Sequence, residues 1–120
     1  MKHLFTLSLA AAAAIAALLA GPAFGAGNVQ KMLQSNGCTG CHAEKTKVVG
    51  PAWGWVAYHY KGKKGAVDSV ADFIITGGVG YWKALTNGIP MPSHHNLSKA
   101  QAKEIAKWIL AQPPVKPPKP

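Results

Sequence analysis

Apolar residues along this chain recur mainly at the spacing of helical turns, and no segment shows the alternation of a half-buried strand. The first such pattern follows Asn28, a residue type that caps helices, and places Val29, Met32 and Leu33 on one face. Gly37 breaks the pattern, so we predict a first helix from Asn28 to about residue 36. The segment after it, CTGCHAEKTKVVGP, is expected to form a turn that leads into an extended stretch.

Two more helices are predicted in the middle of the chain. The stretch AWGWVAYHY spaces its apolar residues as a helix over 53–60 does, and the lysine-glycine loop KGKKG follows it. A third helix is predicted to open at Asp68 or Ser69, to present an apolar face and to end at Gly77. Residues 77–96 are rich in glycine and proline, and an irregular loop of this length in a small domain is commonly functional.

The last helix has the clearest signals of all. Ser98 with Gln101 three residues later forms a capping box. An apolar stripe follows it, and Gln112-Pro113 ends the helix. The stripe consists of Ala102, Ile105, Ala106 and Ile109, widened by Trp108 and Leu110. The tail 113–120, PPVKPPKP, offers no apolar content to pack and is predicted to be an extended, mobile polyproline segment.

The amino terminus has the order of a secretory signal peptide. A basic start at Lys2 precedes an alanine- and leucine-rich run, and Gly21-Pro22 and small residues follow it. We predict that residues 1–25 are removed by cleavage after Gly25, which leaves a domain over 26–112. The alternative interpretation is an uncleaved membrane anchor, because the apolar run is nearly long enough to cross a bilayer.

Charge narrows the classes of partner. Loss of Lys2 with the signal leaves 12 of 13 lysines against four acidic residues, so the formal charge falls from +9 to +8. The absence of arginine, the favoured residue for phosphate and base recognition, argues against nucleic-acid binding. A lysine-rich exported protein is suited to salt-sensitive attraction to an acidic partner. A mature domain this small also often needs a metal, disulfide or cofactor for stability.

Cys38, Cys41 and His42 form the motif C-x-x-C-H. A thioredoxin-like dithiol would need a βαβ context, and a zinc site would need a second closely spaced ligand pair; the chain offers neither. A disulfide across two residues would be strained and would close almost no loop. Covalent haem attachment uses all three residues, with two thiols bonded to the haem and the histidine placed to bind iron, and export agrees with it.

The sixth ligand of the iron separates possible functions. Met91 lies between two prolines that stiffen its backbone, and we predict that its thioether binds the iron. Met32 is interpreted as a core residue, and His94 or His95 is the alternative ligand, which would still indicate electron transfer at a lower potential. An open sixth site would instead indicate a gas sensor or a peroxidase.

Taken together, CTGCH, VVGPAW, ITGGVGYW, IPMP and AKWIL resemble the small bacterial class I c-type cytochromes of the periplasm, from about Val29 to Leu110. The resemblance implies an all-α fold, three to five short helices wrapped around one haem with the terminal helices crossing. It also implies His42 as proximal and Met91 as distal ligand, a Pro51 carbonyl that accepts the ring N–H of the histidine, and Trp82 at a haem propionate. Trp53 and Tyr60 resemble aromatic packing positions of the family. Here eight residues, KALTNGIP, separate Trp82 from Met91, more than in the shortest members of the family, and SHH precedes the asparagine that often bonds the methionine sulfur.

The function expected from residues and resemblance is periplasmic one-electron transfer rather than enzyme catalysis. The expected partners are redox proteins with acidic docking surfaces, with no nucleic acid, no membrane insertion after processing and a monomeric state. The alternative within the same chemistry is a cytochrome subunit of a larger periplasmic dehydrogenase. The lysines expected near the haem edge are Lys45, Lys47, Lys61, Lys63 and Lys64.

Overall fold

The computed structural model describes residues 26–120, and the predicted signal peptide, residues 1–25, lies outside them. In the described part of the chain the regular structure is helical, and β pairing is limited to two isolated antiparallel bridges, His42 with Lys47 and Gly78 with Met91. The all-α prediction is therefore confirmed. No helix within residues 26–120 has the length and apolar content needed to cross a membrane.

Within residues 26–120, five α-helices and one 3-10 helix form the domain. In chain order they are α1 (Ala26–Ser35), α2 (Cys38–Cys41), α3 (Trp53–Tyr60), α4 (Ala66–Thr76), the 3-10 helix (Gly80–Trp82) and α5 (Lys99–Leu110).

Three predicted boundaries were wrong, each for a local reason. Helix α1 begins at Ala26, so Asn28 lies within it and does not cap it. The predicted turn at CTGC is a helical turn, because Gly37 takes a φ of 69° before it and the His42 N–H donates to the Cys38 carbonyl at its end. Helix α4 begins at Ala66, directly after Gly65 with a φ of 76°.

Helix α5 follows its prediction closely. The Ser98 hydroxyl accepts a hydrogen bond from the Gln101 N–H, and the Gln101 side chain accepts one from the Ser98 N–H, so the capping box is present. The helix packs against α1, α3 and α4, which makes it the centre of the core and places the two terminal helices in contact, as the resemblance implied. Its buried stripe is Ala102, Ile105, Ala106 and Ile109.

The largest fully buried side chains are Leu33 of α1 and Ile105 of α5, each 1% exposed. Burial of a side chain of this size stabilises a fold by about 1.5–3 kcal/mol. Met32 is partly buried and packs against the core, consistent with its interpretation as a core residue.

The tail after α5 differs from the prediction at one residue. The Val115 N–H donates to the Gly54 carbonyl at 2.9 Å, and the Val115 side chain packs against the core. The expectation that residues 113–120 offer nothing to pack is therefore wrong at Val115. Gly54 makes the contact possible, since a Cβ there would lie 2.8 Å from Val115 Cγ2 and 2.9 Å from the Pro113 carbonyl oxygen. Mobility of the remaining tail stays a prediction.

Candidate haem-binding site

One cavity of about 320 Å³ brings the predicted site residues together. It lies between α2, α3, α4, the 3-10 helix and the loop that contains Met91, and the side chains that line it are mostly apolar. All six residues predicted from the sequence line it: Cys38, Cys41, His42, Pro51, Trp82 and Met91.

The two cysteines lie on the single turn of α2 and are not joined by a disulfide. Burial raises the pKa of the Cys38 thiol, with a smaller opposing effect of a backbone hydrogen bond. A thiol with a raised pKa is a weak nucleophile at neutral pH, so the environment is unlike that of a redox-active dithiol. Two thiols on one helical turn beside an apolar cavity are suited to hold a group bound at two points.

His42 is oriented by its backbone neighbours. Its Nδ1 lies 2.7 Å from the Pro51 carbonyl oxygen, which can only accept, so Nδ1 carries the proton. Burial lowers the pKa of the imidazole, the Pro51 contact raises it, and the charge of His94 lowers it, with burial the largest effect. The ring is therefore neutral at pH 7, and its Nε2 keeps a lone pair with which to bind a metal.

The loop after His42 is held by hydrogen bonds, and two of its neighbours, Gly50 and Trp53, lie against the His42 ring. The Cys41 carbonyl accepts hydrogen bonds from the N–H groups of Val49 and Gly50, at 3.1 and 2.8 Å. A Cβ at Gly50 would lie 2.9 Å from Nδ1 of His42, so only glycine leaves room for the ring. Trp53 stacks near the same ring, with centroids 5.9 Å apart and planes 16° apart.

Met91 is held through its backbone. Its N–H donates to the Gly78 carbonyl at 2.8 Å, and its carbonyl accepts from the Gly78 N–H at 2.9 Å. Gly77 has a φ of 69°, and a Cβ there would lie 2.6 Å from the Met91 carbonyl oxygen and 2.8 Å from the Ser93 nitrogen. The glycine pair after α4 thus fixes the position at which Met91 enters the cavity.

The residues after Met91 take other places. The His94 N–H donates to the carbonyls of Ile74 and Ile75 in α4, and neither His94 nor His95 is among the residues that line the cavity. The Asn96 side-chain amide donates to the Asn36 side chain at 2.8 Å. This contact ties the loop to the end of α1.

Several residues of the cavity were not predicted from the sequence. Thr86 is the one buried polar residue among those described; it lines the cavity, and its hydroxyl donates to the Trp82 carbonyl at 3.0 Å. Tyr81 also lines the cavity. Gly77 was predicted only as the end of a helix, and nothing in a single sequence shows which side chain or backbone atom lies against Gly50 or Gly77.

The residues present fit a haem. The cavity offers two thiols for tethering, an imidazole with a free Nε2, a thioether, and apolar walls suited to a flat apolar ring. These thiols, the imidazole and the thioether are enough to tether a haem and to bind its iron on both sides.

Comparison with known proteins agrees with this fit. The cytochrome c family model matches residues 26–113. Cytochrome c2 of Rhodocyclus tenuis is 43% identical over 81 residues, which cover 67% of this chain and 87% of that protein. Cytochrome c-552 of Nitrosomonas europaea is 42% identical over 98 residues, which cover 82% of this chain and 88% of that protein.

A solved structure gives the same result for the fold. The crystal structure of wild-type Nitrosomonas europaea cytochrome c552 superposes with a TM-score of 0.62 and 40% identity, over 69% of this chain and 98% of that one. Since the family model covers most of the chain and relatives of more than 30% identity are matched over most of their length, the chain belongs to the cytochrome c family, as a small class I member with one covalent haem c.

Proposed function

We propose that the protein carries single electrons between redox proteins through a haem bonded to Cys38 and Cys41 and ligated by His42 and Met91. The observation that carries the proposal is the double hydrogen bond between Met91 and Gly78, which holds the methionine at the cavity that His42 also lines. When bound, the haem supplies an iron that cycles between the ferrous and ferric states. A filled sixth position suits electron transfer because no substrate reaches the metal and little needs to rearrange.

The chain's own residues prepare that site. The Pro51 carbonyl fixes the orientation of His42 and increases the basicity of its Nε2 through the Nδ1–H bond. The apolar lining excludes water, which favours the less charged ferrous state and so raises the potential. The placement of His94 and His95 away from the cavity lining supports Met91 as the ligand.

The class of protein, its location and its partners follow from the same residues. We infer that the protein is a carrier rather than an enzyme and that it works in the periplasm after removal of residues 1–25. Its partners are redox proteins with acidic docking surfaces. Purification from native cells without crosslinking distinguishes a free carrier from a subunit of a larger dehydrogenase, since only the subunit would remain with a second protein.

A redox titration with absorption spectra tests the proposed function. We expect one reversible one-electron transition, a haem c spectrum in the reduced state, and the weak long-wavelength band of methionine–ferric haem in the oxidised state. Rapid binding of carbon monoxide by the untreated ferrous protein would instead support the gas sensor or peroxidase.

A further inference from the structure

An exposed tyrosine lies at the wall of the haem cavity. Tyr81, in the 3-10 helix, is 67% exposed, the largest fraction among the large hydrophobic residues described as exposed, and yet it lines the cavity. Its ring stacks on that of His59 in α3, with centroids 3.9 Å apart and planes 28° apart. The Tyr81 ring therefore extends from solvent to the cavity wall, and its stacking on His59 of α3 fixes its orientation.

Two more rings complete this cluster. Trp82 is buried and lies edge-on to Tyr81, with centroids 5.0 Å apart, and to His59, with centroids 5.6 Å apart. Tyr60 lies edge-on to His59 at 4.9 Å, and both Tyr60 and Trp82 line the cavity. We call His59, Tyr60, Tyr81 and Trp82 the aromatic face.

The aromatic face is held in place from below and from the side. A Cβ at Gly80, where φ is 56°, would lie 2.8 Å from the Phe73 ring, so the 3-10 helix sits directly on α4. Lys63 Nζ lies 3.3 Å from His59 Nε2. Burial, and then the charge of Lys63, lower the pKa of His59, so a neutral imidazole accepts this hydrogen bond at pH 7.

Unpaired positive charge borders the aromatic face. Lys61, Lys63 and Lys64 form the exposed loop after α3. Among residues 26–120, the ion pairs lie elsewhere, since three of the four acidic residues are paired with lysines of α5. Those pairs are Lys99 with Asp72, Lys103 with Asp68, and Lys107 with Glu104.

We propose that the aromatic face, with Tyr81 at its centre and the loop 61–64 at its rim, is the docking surface through which the haem exchanges electrons with an acidic redox protein. The inference rests on the proposed function and narrows it to one surface. Tyrosine is a preferred anchor at protein interfaces, and charges at the rim steer association. With a haem held by Cys38, Cys41, His42 and Met91, one electron would pass across this surface in each encounter, so that one of the two redox centres is oxidised as the other is reduced; no bond would be made and no proton would move.

We infer a protein partner rather than a lipid surface because the exposed Tyr81 ring offers a contact that attraction between charges does not require. An anionic membrane would be attracted by the three lysines alone, whereas the stacked ring gives a rigid contact at the cavity wall, where a second redox centre would need to come close. The experiment therefore measures binding to anionic lipid separately from the reaction with an acidic protein.

The test uses the haem-loaded protein and stopped-flow reduction by flavodoxin, a small acidic one-electron protein. Tyr81→Leu should lower the second-order rate about tenfold at low salt, as expected for loss of a tyrosine anchor. Tyr81→Phe keeps the ring and should keep the rate. Tyr58→Leu is the matched control, since Tyr58 is 42% exposed on α3 and lies outside the aromatic face, and it should react like the unchanged protein.

Charge is tested in parallel. Lys63→Glu should lower the rate about tenfold at low salt, and Lys31→Glu, on α1, should lower it much less. Equal rates for Tyr81→Leu and Tyr58→Leu would overturn the proposal. The proposal would also be overturned if Lys63→Glu lost binding to phosphatidylserine vesicles but kept its rate with flavodoxin. If the unchanged protein shows no reversible one-electron reduction, the proposed function itself fails, and that result is separate from these.

Discussion

At the level of single residues, glycines decide where the two proposed iron ligands, His42 and Met91, lie. Gly50 makes room for the His42 ring, and Gly77 makes room for the backbone of Met91 and Ser93. That Cys38, Cys41 and His42 lie together at one cavity could be predicted from the sequence because one short motif contains all three. The glycine roles could not be predicted, since they depend on atoms distant in the chain that only the fold brings near.

Substitution at Gly77 should therefore affect the iron as well as stability. Gly77→Ala imposes a positive φ on an L-residue, at a cost of about 1–2 kcal/mol, and also pushes on Met91. We expect part of the ferric protein to lose the long-wavelength methionine band. Gly62→Ala is the control, since φ there is 71° and nothing lies within 4 Å of its Cβ. It should lose less stability than Gly77→Ala, because the positive φ is its only cost, and it should keep the band. An undiminished band in Gly77→Ala would contradict a role of Gly77 in placing Met91.

At the scale of elements, strong local signals were predicted well and weak ones were not. Helix α5 has a capping box and an apolar stripe, and both are present. Helix α2 is a single turn without a pattern of its own, and Gly37 and the hydrogen bond from His42 to Cys38 make it helical. The contact of the tail with α3 also escaped prediction, because one valine among prolines and lysines gives no periodic signal.

The tail contact has a measurable energetic consequence. The hydrogen bond from Val115 to Gly54 continues through the bond from the Gly54 N–H to the Glu44 carbonyl, so the tail reaches the loop that follows His42. A chain ended after Gln112 should unfold more easily in urea, by about 1–2 kcal/mol, from lost apolar burial and one hydrogen bond. A chain ended after Lys116 keeps Val115 and should match the full chain. Equal stability of all three would show that the tail contributes nothing.

At the scale of the whole molecule, charge is unevenly distributed. The net charge could be read from the sequence, but the ion pairs that neutralise α5 and α4 could not, because they join residues far apart in the chain. The lysines outside these pairs include all five expected at the haem edge: Lys45, Lys47, Lys61, Lys63 and Lys64. The positive field therefore lies mostly away from α5.

Electron transfer with an acidic partner should consequently depend on salt. The Debye length shortens from about 30 Å at 0.01 M to about 10 Å at 0.1 M, so steering by these lysines weakens over this range. We expect the second-order rate with an acidic protein to fall as ionic strength rises, by about tenfold or more. The rate with an uncharged small reductant should stay constant. A rate with the acidic protein that does not change with ionic strength would show that these lysines do not steer the encounter.

The reduction potential of Met91→Ala, measured beside that of His94→Ala from the same loop, tests whether His42 and Met91 together hold the iron of an electron carrier. Met91→Ala should lower the potential by on the order of 0.1 V, remove the long-wavelength band and open the ferrous iron to carbon monoxide. His94→Ala should keep the methionine band and bind no carbon monoxide. An unchanged potential and band in Met91→Ala would show that Met91 does not bind the iron.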